Sequence, residues 1–234
     1  MIKITDTNVY GWEAAIRGMR TPMNSWEKSD NYKTYIEDPE TQQTADFEFF
    51  VGDADHDLMM RLAKGGSVHA KYRRMITVTV DITAPLYWWK EFDTYKVGTV
   101  ANSCSTMHKI HDKEFTLDDF SHEHLFDGID RCEEGRDEDE IRENPTTALM
   151  YIIDVLNYYR YKYLETKNKD KLYWWQMIQL LPSSYNQKRT VLMNYEVLVG
   201  MYRDRQNHKL DEWRKLCDWI RELPYSEVIT GDVG

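Results

Sequence analysis

Apolar β-branched side chains alternate with polar ones from Ile76 to Thr83, which is the clearest strand pattern in the chain. A period of two places alternate side chains on opposite faces of a sheet. Ala84-Pro85 ends the pattern, and the aromatic segment Leu86–Tyr95 is predicted to be a helix that begins just after the proline. A shorter alternation over Ile2–Thr5 predicts a first strand.

Helical spacing of apolar residues covers most of the remaining chain. Helices are predicted over Trp12–Met19 and Asp53–Lys64, the second closed by Gly65-Gly66. Beyond Pro145, four more are predicted from apolar positions at 149–163, 172–181, 191–202 and 210–220. The unpatterned polar stretches Pro22–Thr44 and Val97–Met107 are predicted to be loops. The pattern predicts an α+β fold with a small sheet early and long helices in the second half.

Composition and charge narrow the class of function. The chain has 234 residues, enough for one domain spanning 1–234, and a net charge of −10. The acidic balance argues against binding a nucleic-acid polymer, although one small phosphate-bearing ligand needs only a local basic pocket. No apolar run is long enough for a membrane span, and no signal peptide is recognisable. Three widely spaced cysteines, Cys104, Cys132 and Cys217, favour a reducing, cytoplasmic setting.

Three other features of the sequence do not by themselves identify a function. His108, His111, His122 and His124 lie close together in sequence, but no fixed ligand motif accompanies them, and no metal site is predicted. The charge run Glu133–Glu143 is interpreted as a solvated helix end or loop. The aromatic content of 13% suits either a large interface or an aromatic core.

The middle of the chain has a distinctive order of elements. Lys64–His69 follows a helix, the strand then ends in Ala84-Pro85, and an aromatic helix leads into Thr94-Tyr95-Lys96. Seven residues separate Lys96 from Cys104. This order and spacing resemble the flavin-dependent thymidylate synthases, whose motif at this place is Arg-His-Arg, seven residues and Ser.

A second segment resembles the same family. Leu181-Pro182 is followed by Asn194, twelve residues after the proline, and by Arg205, eleven residues after that asparagine. A tryptophan, Trp213, follows within the next turns, as it does in the family. The resemblance implies a small antiparallel sheet with long helices, assembled as a homotetramer that binds FAD where subunits meet.

The resemblance also implies an activity. In this family FAD, reduced by NADPH, supports transfer of a one-carbon unit from methylenetetrahydrofolate to dUMP, and a related pyrimidine deoxynucleotide would suit an altered pocket. The partners implied are the chain itself and this nucleotide. The residues that would contact the cofactor are His69, Asn194, Tyr95 and Lys96. Those that would contact the substrate are Lys96, Thr99, Cys104 and Arg205, and Arg205 is the residue expected to act in catalysis.

Several positions depart from the family pattern. Thr94 and Lys96 stand in place of the two motif arginines and Cys104 in place of the serine; Thr106, Glu91 and Gly200 also differ. Lysine keeps the charge but lacks the planar fork that binds phosphate through two bonds. Two alternatives therefore stay open: a non-catalytic homologue that binds a nucleotide or a protein partner, and a helical interaction protein. In those cases His69, Asn194 and Arg205 are ordinary surface or helix residues.

Overall fold

The computed structural model describes residues 2–37, 44–126 and 144–231. Its strands are β1 (Lys3–Tyr10), β2 (Tyr32–Glu37), β3 (Thr44–Phe50), β4 (Thr77–Pro85), β5 (Val100–Ser103) and β6 (Asn186–Asn194). Its helices are α1 (Trp12–Arg20), α2 (Asp53–Lys64), α3 (Leu86–Phe92), α4 (Thr106–Lys109), α5 (Pro145–Glu165), α6 (Lys171–Leu180), α7 (Tyr195–Arg205), α8 (Asp211–Arg221) and α9 (Glu227–Thr230). Within these residues, the predicted α+β class with small antiparallel sheets is confirmed.

The chain forms two compact units, each assembled from separate stretches of sequence. Unit 1 comprises Met1–Lys3, Ile82–Thr94 and Asn102–Arg189. Unit 2 comprises Ile4–Asp81, Tyr95–Ala101 and Thr190–Gly234. The prediction of a single domain stays a prediction, because compact units of one chain need not fold independently.

The larger sheet has four strands in the order β1-β4-β6-β5. In β4 the predicted alternation is confirmed, since Val78, Val80 and Ile82 are buried and the residues between them are half-buried. β6 corrects two predictions: the sheet is not confined to the early part of the chain, and Val191 does not belong to a helix. Val191 and Met193 are fully buried on one face of this strand. The helix was predicted to include Val191 because Val191 and Tyr195 are four residues apart, as on one face of a helix. In the structure α7 begins only at Tyr195.

The loop predicted over Pro22–Thr44 contains part of a hairpin, because β2 (Tyr32–Glu37) lies within it and β3 begins at Thr44. β2 and β3 pair antiparallel, with Tyr32 opposite Phe50 and their rings stacked at 5.0 Å between centroids. The base of the hairpin is fixed by Asp55 in α2, whose carboxylate accepts hydrogen bonds from the backbone N–H groups of Asp30 and Asn31. These contacts come from a residue 25 and 24 positions further along the chain, so no pattern within Pro22–Thr44 could indicate them.

The second predicted loop, Val97–Met107, also contains regular structure. β5 occupies Val100–Ser103, every residue of which is exposed, and α4 begins at Thr106. A small polar segment gives no strand signal of its own, and here β5 forms because it lies beside β6. The helix predicted over Leu86–Tyr95 ends earlier, at Phe92.

Each unit has its own apolar core. In unit 1, α5 and α6 enclose a cluster that includes the buried Leu149, Ile153, Leu156 and Met177. Asn144 caps α5 by accepting hydrogen bonds from the N–H groups of Thr146 and Thr147. In unit 2 the fully buried side chains belong to helices and strands alike and include Ile16, Met59, Ile76, Tyr195 and Trp213.

The remaining sequence features are the charge run, the third cysteine and the question of a membrane span. The charge run Glu133–Glu143 and Cys132 lie outside the described residues. Among the helices that are described, none combines the length and the apolarity that a bilayer crossing requires.

Candidate functional site

Arg205 ends α7 and lies against two aromatic side chains of unit 2. Its Nε–H donates to the hydroxyl oxygen of Tyr95 at 2.9 Å. Its guanidinium carbon lies 4.6 Å from the ring centroid of Trp213 and 5.6 Å from that of Tyr95. The two rings approach each other edge to face at 5.9 Å. A cation held against an indole face gains attraction from the ring quadrupole, so this arrangement holds a charged donor group in one place.

At the other end of α7, which begins at Tyr195, Asn194 is the N-terminal cap. The Asn194 side-chain oxygen accepts the N–H of Val197 at 3.0 Å and caps the helix. Gly98, at φ +81°, lies directly against this cap, because a Cβ built on it would come 2.8 Å from Asn194 Nδ2. Any side chain at Gly98 would clash, and glycine also tolerates the positive φ.

The segment Tyr95–Thr99 therefore lies along α7, with Tyr95 at the helix end and Gly98 at its start. This is the segment that the sequence places at the family motif, and the structure joins it to both Asn194 and Arg205. The structure thus brings Tyr95, Asn194 and Arg205 close to α7 within unit 2, and their contacts with a cofactor or substrate stay predictions.

Three buried polar atoms at or beside the first turn of α7 have no hydrogen-bond partner among the described residues: Thr99 Oγ1, Glu196 Oε2 and Arg73 Nε. Arg73 is 7% exposed, and its Nη1 lies 3.6 Å from Glu196 Oε2, beyond hydrogen-bond distance. A buried donor or acceptor without a partner costs about 1–3 kcal/mol. The first turn of α7 thus offers both donors and acceptors to a polar ligand or to water.

His69 lies on the surface, after the turn at Gly66, where φ is +85°. Its backbone N–H donates to the Gly66 carbonyl oxygen at 3.0 Å. In the described part of the chain, its side chain makes no hydrogen bond to Asn194 or Arg205. The chain continues from His69 into the 3-10 turn Lys71–Arg74 and so reaches Arg73.

Three motif positions have different surroundings. Lys96 is exposed in unit 2. Cys104 belongs to unit 1, where its backbone N–H donates to the Lys188 carbonyl oxygen and its own carbonyl accepts from Gln187 Nε2, both at 2.9 Å. Thr94, in place of the first motif arginine, donates its hydroxyl proton to the Glu91 carbonyl oxygen at the end of α3.

The two described cysteines differ in exposure. Cys104 is exposed, whereas Cys217 is buried in α8. Burial raises the pKa of the Cys217 thiol to about 11, so this thiol stays protonated at neutral pH and is a poor nucleophile.

The four clustered histidines of unit 1 have separate neighbours. The His111 ring lies edge-on to Tyr163 at 5.0 Å, and His122 Nδ1 lies 2.9 Å from the Phe120 carbonyl oxygen. Across residues 2–37, 44–126 and 144–231, His, Cys, Asp and Glu side chains form no group of three or more that could hold a metal ion.

Unit 2 also contains a cavity of about 1180 Å³ between β1, α1, the hairpin and the segment after α8. Its lining includes the aromatic residues Tyr10, Trp12, Phe50, Trp219 and Tyr225. None of the predicted site residues lines it, so sequence reasoning gave no indication of this cavity.

Three residues of the site were not predicted as site residues: Arg73, Glu196 and Trp213. Trp213 was noted only for its position after Arg205. Arg73 and Glu196 lie far apart in sequence and match no motif, so only the fold brings them together. Gly98 is the one further residue whose type could have signalled a close backbone approach.

No model of a known protein family matches the chain, and no curated protein matches its sequence. Solved structures match its fold. Thymidylate synthase X (ThyX) from Helicobacter pylori, solved with FAD and dUMP, matches at a TM-score of 0.62 and 15% identity, covering 99% of this chain and 98% of that one. A UMP/dUMP methylase, PolB, from Streptomyces cacaoi, bound with 5-Br dUMP, matches at 0.59 and 13% identity, covering 99% and 94%. The chain shares the fold of the flavin-dependent thymidylate synthases, as the sequence resemblance predicts.

Proposed function

We propose that this chain binds a pyrimidine deoxynucleotide at Arg205 and adds a one-carbon unit to its base, with FAD as cofactor. The observation that supports the proposal is the position of Tyr95–Thr99 beside α7. There Tyr95 contacts Arg205, and Gly98 lies against Asn194. Two fold neighbours were solved with dUMP or a brominated dUMP, which supports the ligand class.

Arg205 is suited to hold the pyrimidine. A guanidinium carries only donors, and uracil offers carbonyl oxygens as acceptors. Lys96 is suited to contact the nucleotide phosphate, because its ammonium group lies on the surface of the same segment. Thr99 Oγ1, buried and without a hydrogen-bond partner among the described residues, is suited to a polar atom of the ligand. Cys104 lies in unit 1, and its contact with the substrate stays a prediction.

The residues around the first turn of α7 fit a flavin cofactor. Unsatisfied buried atoms of Glu196 and Arg73 provide an acceptor and a donor, and a polar cofactor with many hydrogen-bonding atoms would satisfy them. Asn194 and His69 would complete its contacts. When bound, FAD would accept a hydride from NADPH and pass it on. In the overall reaction the methylene carbon leaves tetrahydrofolate for the base, and NADPH with one proton supplies the two hydrogens.

The experiment is a visible absorption spectrum of the purified chain, recorded after addition of excess FAD and desalting. We expect a flavin band that remains with the protein. Titration calorimetry with dUMP should then show binding, and NADPH with methylenetetrahydrofolate should yield dTMP. A colourless protein that still binds dUMP would contradict the flavin reaction and support the non-catalytic homologue.

The second candidate is that non-catalytic homologue. Thr94 uses its hydroxyl within its own turn, and neither motif arginine is present. A hydrogen bond to a charged group contributes about 1.5–3 kcal/mol. Losing two of them would weaken phosphate binding by roughly a hundredfold or more, at about 1.4 kcal/mol per decade.

Self-association into a homotetramer is part of the proposal. The outer sides of α5 and α6 expose large apolar residues, among them Tyr151 at 71% and Leu172 at 70%. Such surfaces are typical of interfaces. Light scattering should give the mass of a tetramer for the wild type and a smaller mass for Tyr151→Glu with Leu172→Glu. Met23→Glu, at an equally exposed residue of unit 2, is the control that should leave the mass unchanged.

A further inference from the structure

Two arginines of unit 2 donate Nε–H to a tyrosine hydroxyl. Arg205 donates to Tyr95 at 2.9 Å and Arg221 to Tyr202 at 3.1 Å. Each guanidinium carbon also lies over the ring of its tyrosine, at 5.6 Å and 5.1 Å from the centroids. The two pairs have nearly the same local geometry, so the rest of their surroundings determines what each can do.

The described surroundings differ in the elements that each pair joins. Arg221 Nη1 donates to the Asp218 carboxylate at 2.6 Å, within its own helix. Tyr202 is a buried residue of α7, two positions after Gly200. Tyr95 instead comes from the segment that carries Lys96 and Thr99, and Arg205 lies over Trp213 at 4.6 Å. The Arg221 pair joins two packed helices, whereas the Arg205 pair joins a helix to the proposed site segment.

We propose that Tyr95 is the positioning residue for Arg205. Its hydroxyl accepts the Nε–H and thereby fixes the rotation of the guanidinium plane over Trp213. That rotation sets the direction of the two Nη nitrogens before a nucleotide binds. The identity of the nucleotide rests on the proposed function, while the hydrogen bond and its effect on Arg205 do not.

A phenol suits this role for an electrostatic reason. Its oxygen accepts a hydrogen bond while remaining uncharged, so this bond orients the guanidinium without neutralising it. A carboxylate at the same place would orient Arg205 and cancel its charge, which would weaken its attraction for the electron-rich oxygens of a nucleotide. Fixing a flexible side chain in its binding orientation also removes part of the entropy lost on association.

Tyr95→Phe separates the hydrogen bond from the aromatic contact. Phenylalanine keeps the ring beside Arg205 and Trp213 but offers no acceptor to Nε–H. Arginine Nε–H groups can be observed by NMR, and the Arg205 signal is assigned from its loss in Arg205→Lys. In Tyr95→Phe we expect this signal to shift and its hydrogen exchange to accelerate about tenfold. The affinity for dUMP should fall about 2- to 12-fold, which corresponds to the net contribution of one typical intramolecular hydrogen bond.

Tyr202→Phe is the matched control. It removes the same kind of acceptor from Arg221, so it should shift the Arg221 Nε–H signal and leave both the Arg205 signal and the dUMP affinity unchanged. The wild type gives an independent measurement. Arg205 Nε–H should exchange about tenfold more slowly than that of Arg17, an exposed arginine whose side chain makes no hydrogen bond among the described residues.

The outcomes separate this inference from the proposed function. An Arg205 signal that is unchanged in Tyr95→Phe, or equal loss of dUMP affinity in Tyr95→Phe and Tyr202→Phe, would overturn the positioning role. A wild type that shows slow Arg205 exchange, lost in Tyr95→Phe, but no binding of dUMP would support the positioning role and overturn the nucleotide assignment.

Discussion

Each unit contains an arginine stacked on a tryptophan. In unit 1 the Arg189 guanidinium carbon lies 4.1 Å from the ring centroid of Trp89, and in unit 2 Arg205 lies 4.6 Å from Trp213. Both indoles are buried. The stacks differ in what accepts the hydrogen bonds. Arg189 donates to the Asp93 carboxylate at 2.7 Å and to Gln187 Oε1 at 3.0 Å, whereas the acceptor for Arg205 Nε–H is the neutral hydroxyl of Tyr95.

The difference shows how one motif serves two purposes. A carboxylate partner compensates the charge of Arg189, so that stack contributes to the stability of unit 1. A phenol accepts the Arg205 Nε–H while remaining uncharged, so this bond orients the guanidinium and does not itself cancel its charge. The two stacks therefore differ in the residue types that accept their hydrogen bonds.

Arg20 is a third arginine for comparison, and its ion pair with Asp55 is buried. Disrupting this pair should have the largest effect on the free energy of unfolding. Asp55 is 0% exposed and accepts the Nε–H of Arg20, which is 4% exposed, at 2.5 Å. Asp55→Asn removes the charge that compensates Arg20 and should lower the free energy of unfolding by about 3–5 kcal/mol. Chemical denaturation at neutral pH measures this loss, and a decrease below about 1 kcal/mol would contradict the ion pair.

We expect the loss of stability in Asp55→Asn to depend on pH. Burial raises the pKa of the Asp55 carboxyl, but hydrogen bonds from Ser29, Arg20 and Asn31 outweigh burial and hold the pKa below its usual value. A lowered pKa in the folded state stabilises the protein above the unfolded value of about 3.9, and this stability is lost as the pH falls through the folded value. The difference in stability between wild type and Asp55→Asn should therefore be largest near pH 7 and shrink below about pH 4.

Arg205→Ala should have the largest effect on binding, whereas that of Asp55→Asn is on stability. Removing a guanidinium that makes two charge-assisted bonds to a ligand corresponds to a loss of about 3–6 kcal/mol. The affinity for dUMP should fall more than a hundredfold in titration calorimetry. The melting temperature should change by only a few degrees, because Arg205 ends a helix and is half-buried. Unchanged affinity would remove Arg205 from the site.

Arg189→Ala is the reciprocal experiment. It removes the stack on Trp89 and the ion pair with Asp93, whose side chain is 51% exposed. Solvent screening at a half-exposed carboxylate and an ordinary cation–π contribution together suggest a loss of about 1–2 kcal/mol. The melting temperature should fall by about 2–8 °C, with dUMP affinity unchanged. If Arg189→Ala weakens dUMP binding as strongly as Arg205→Ala, the distinction between the stacks is wrong.

Cys104→Ser should have the smallest effect. The backbone N–H of Cys104 donates a hydrogen bond to the carbonyl oxygen of Lys188, the residue before Arg189. Cys104 itself is exposed. Serine has nearly the same shape, and the proposed reaction needs no thiolate. We expect stability within about 0.5 kcal/mol of the wild type and unchanged turnover. Complete loss of turnover in a folded protein would indicate a covalent mechanism at this residue.

The sequence predicted the elements whose cause is local. α2 has the predicted bounds because Leu58, Met59 and Leu62 recur at helical spacing and glycines close it. β4 follows from its own β-branched alternation. Elements stabilised from outside were missed: the hairpin depends on Asp55, and the exposed β5 depends on β6. A pattern within a segment carries no information about a distant partner.

The site was predictable to the same degree. The resemblance to the family pattern selected Tyr95, Asn194 and Arg205, and in the fold α7 lies beside the segment that contains Tyr95. Spacing also selected Cys104, which lies in unit 1. Arg73 and Glu196 could not be predicted, because they lie far apart in sequence, match no motif and come together only in the fold. His69 has the predicted position in the chain, and its contact with a cofactor stays a prediction.

The place of β6 between β4 and β5 has a consequence for protein synthesis. All residues of β5 have been synthesised once the ribosome passes Ser103. Its neighbour among the described strands, β6, ends at Asn194, about 90 residues later. At roughly 5–20 residues per second, the ribosome needs about 5–20 s to supply that strand. During this time one edge of β4 and both edges of β5 have no partner from the sheet. Nascent chains arrested before residue 186 should be cut by protease within 97–107, and chains released after residue 194 should resist cleavage there.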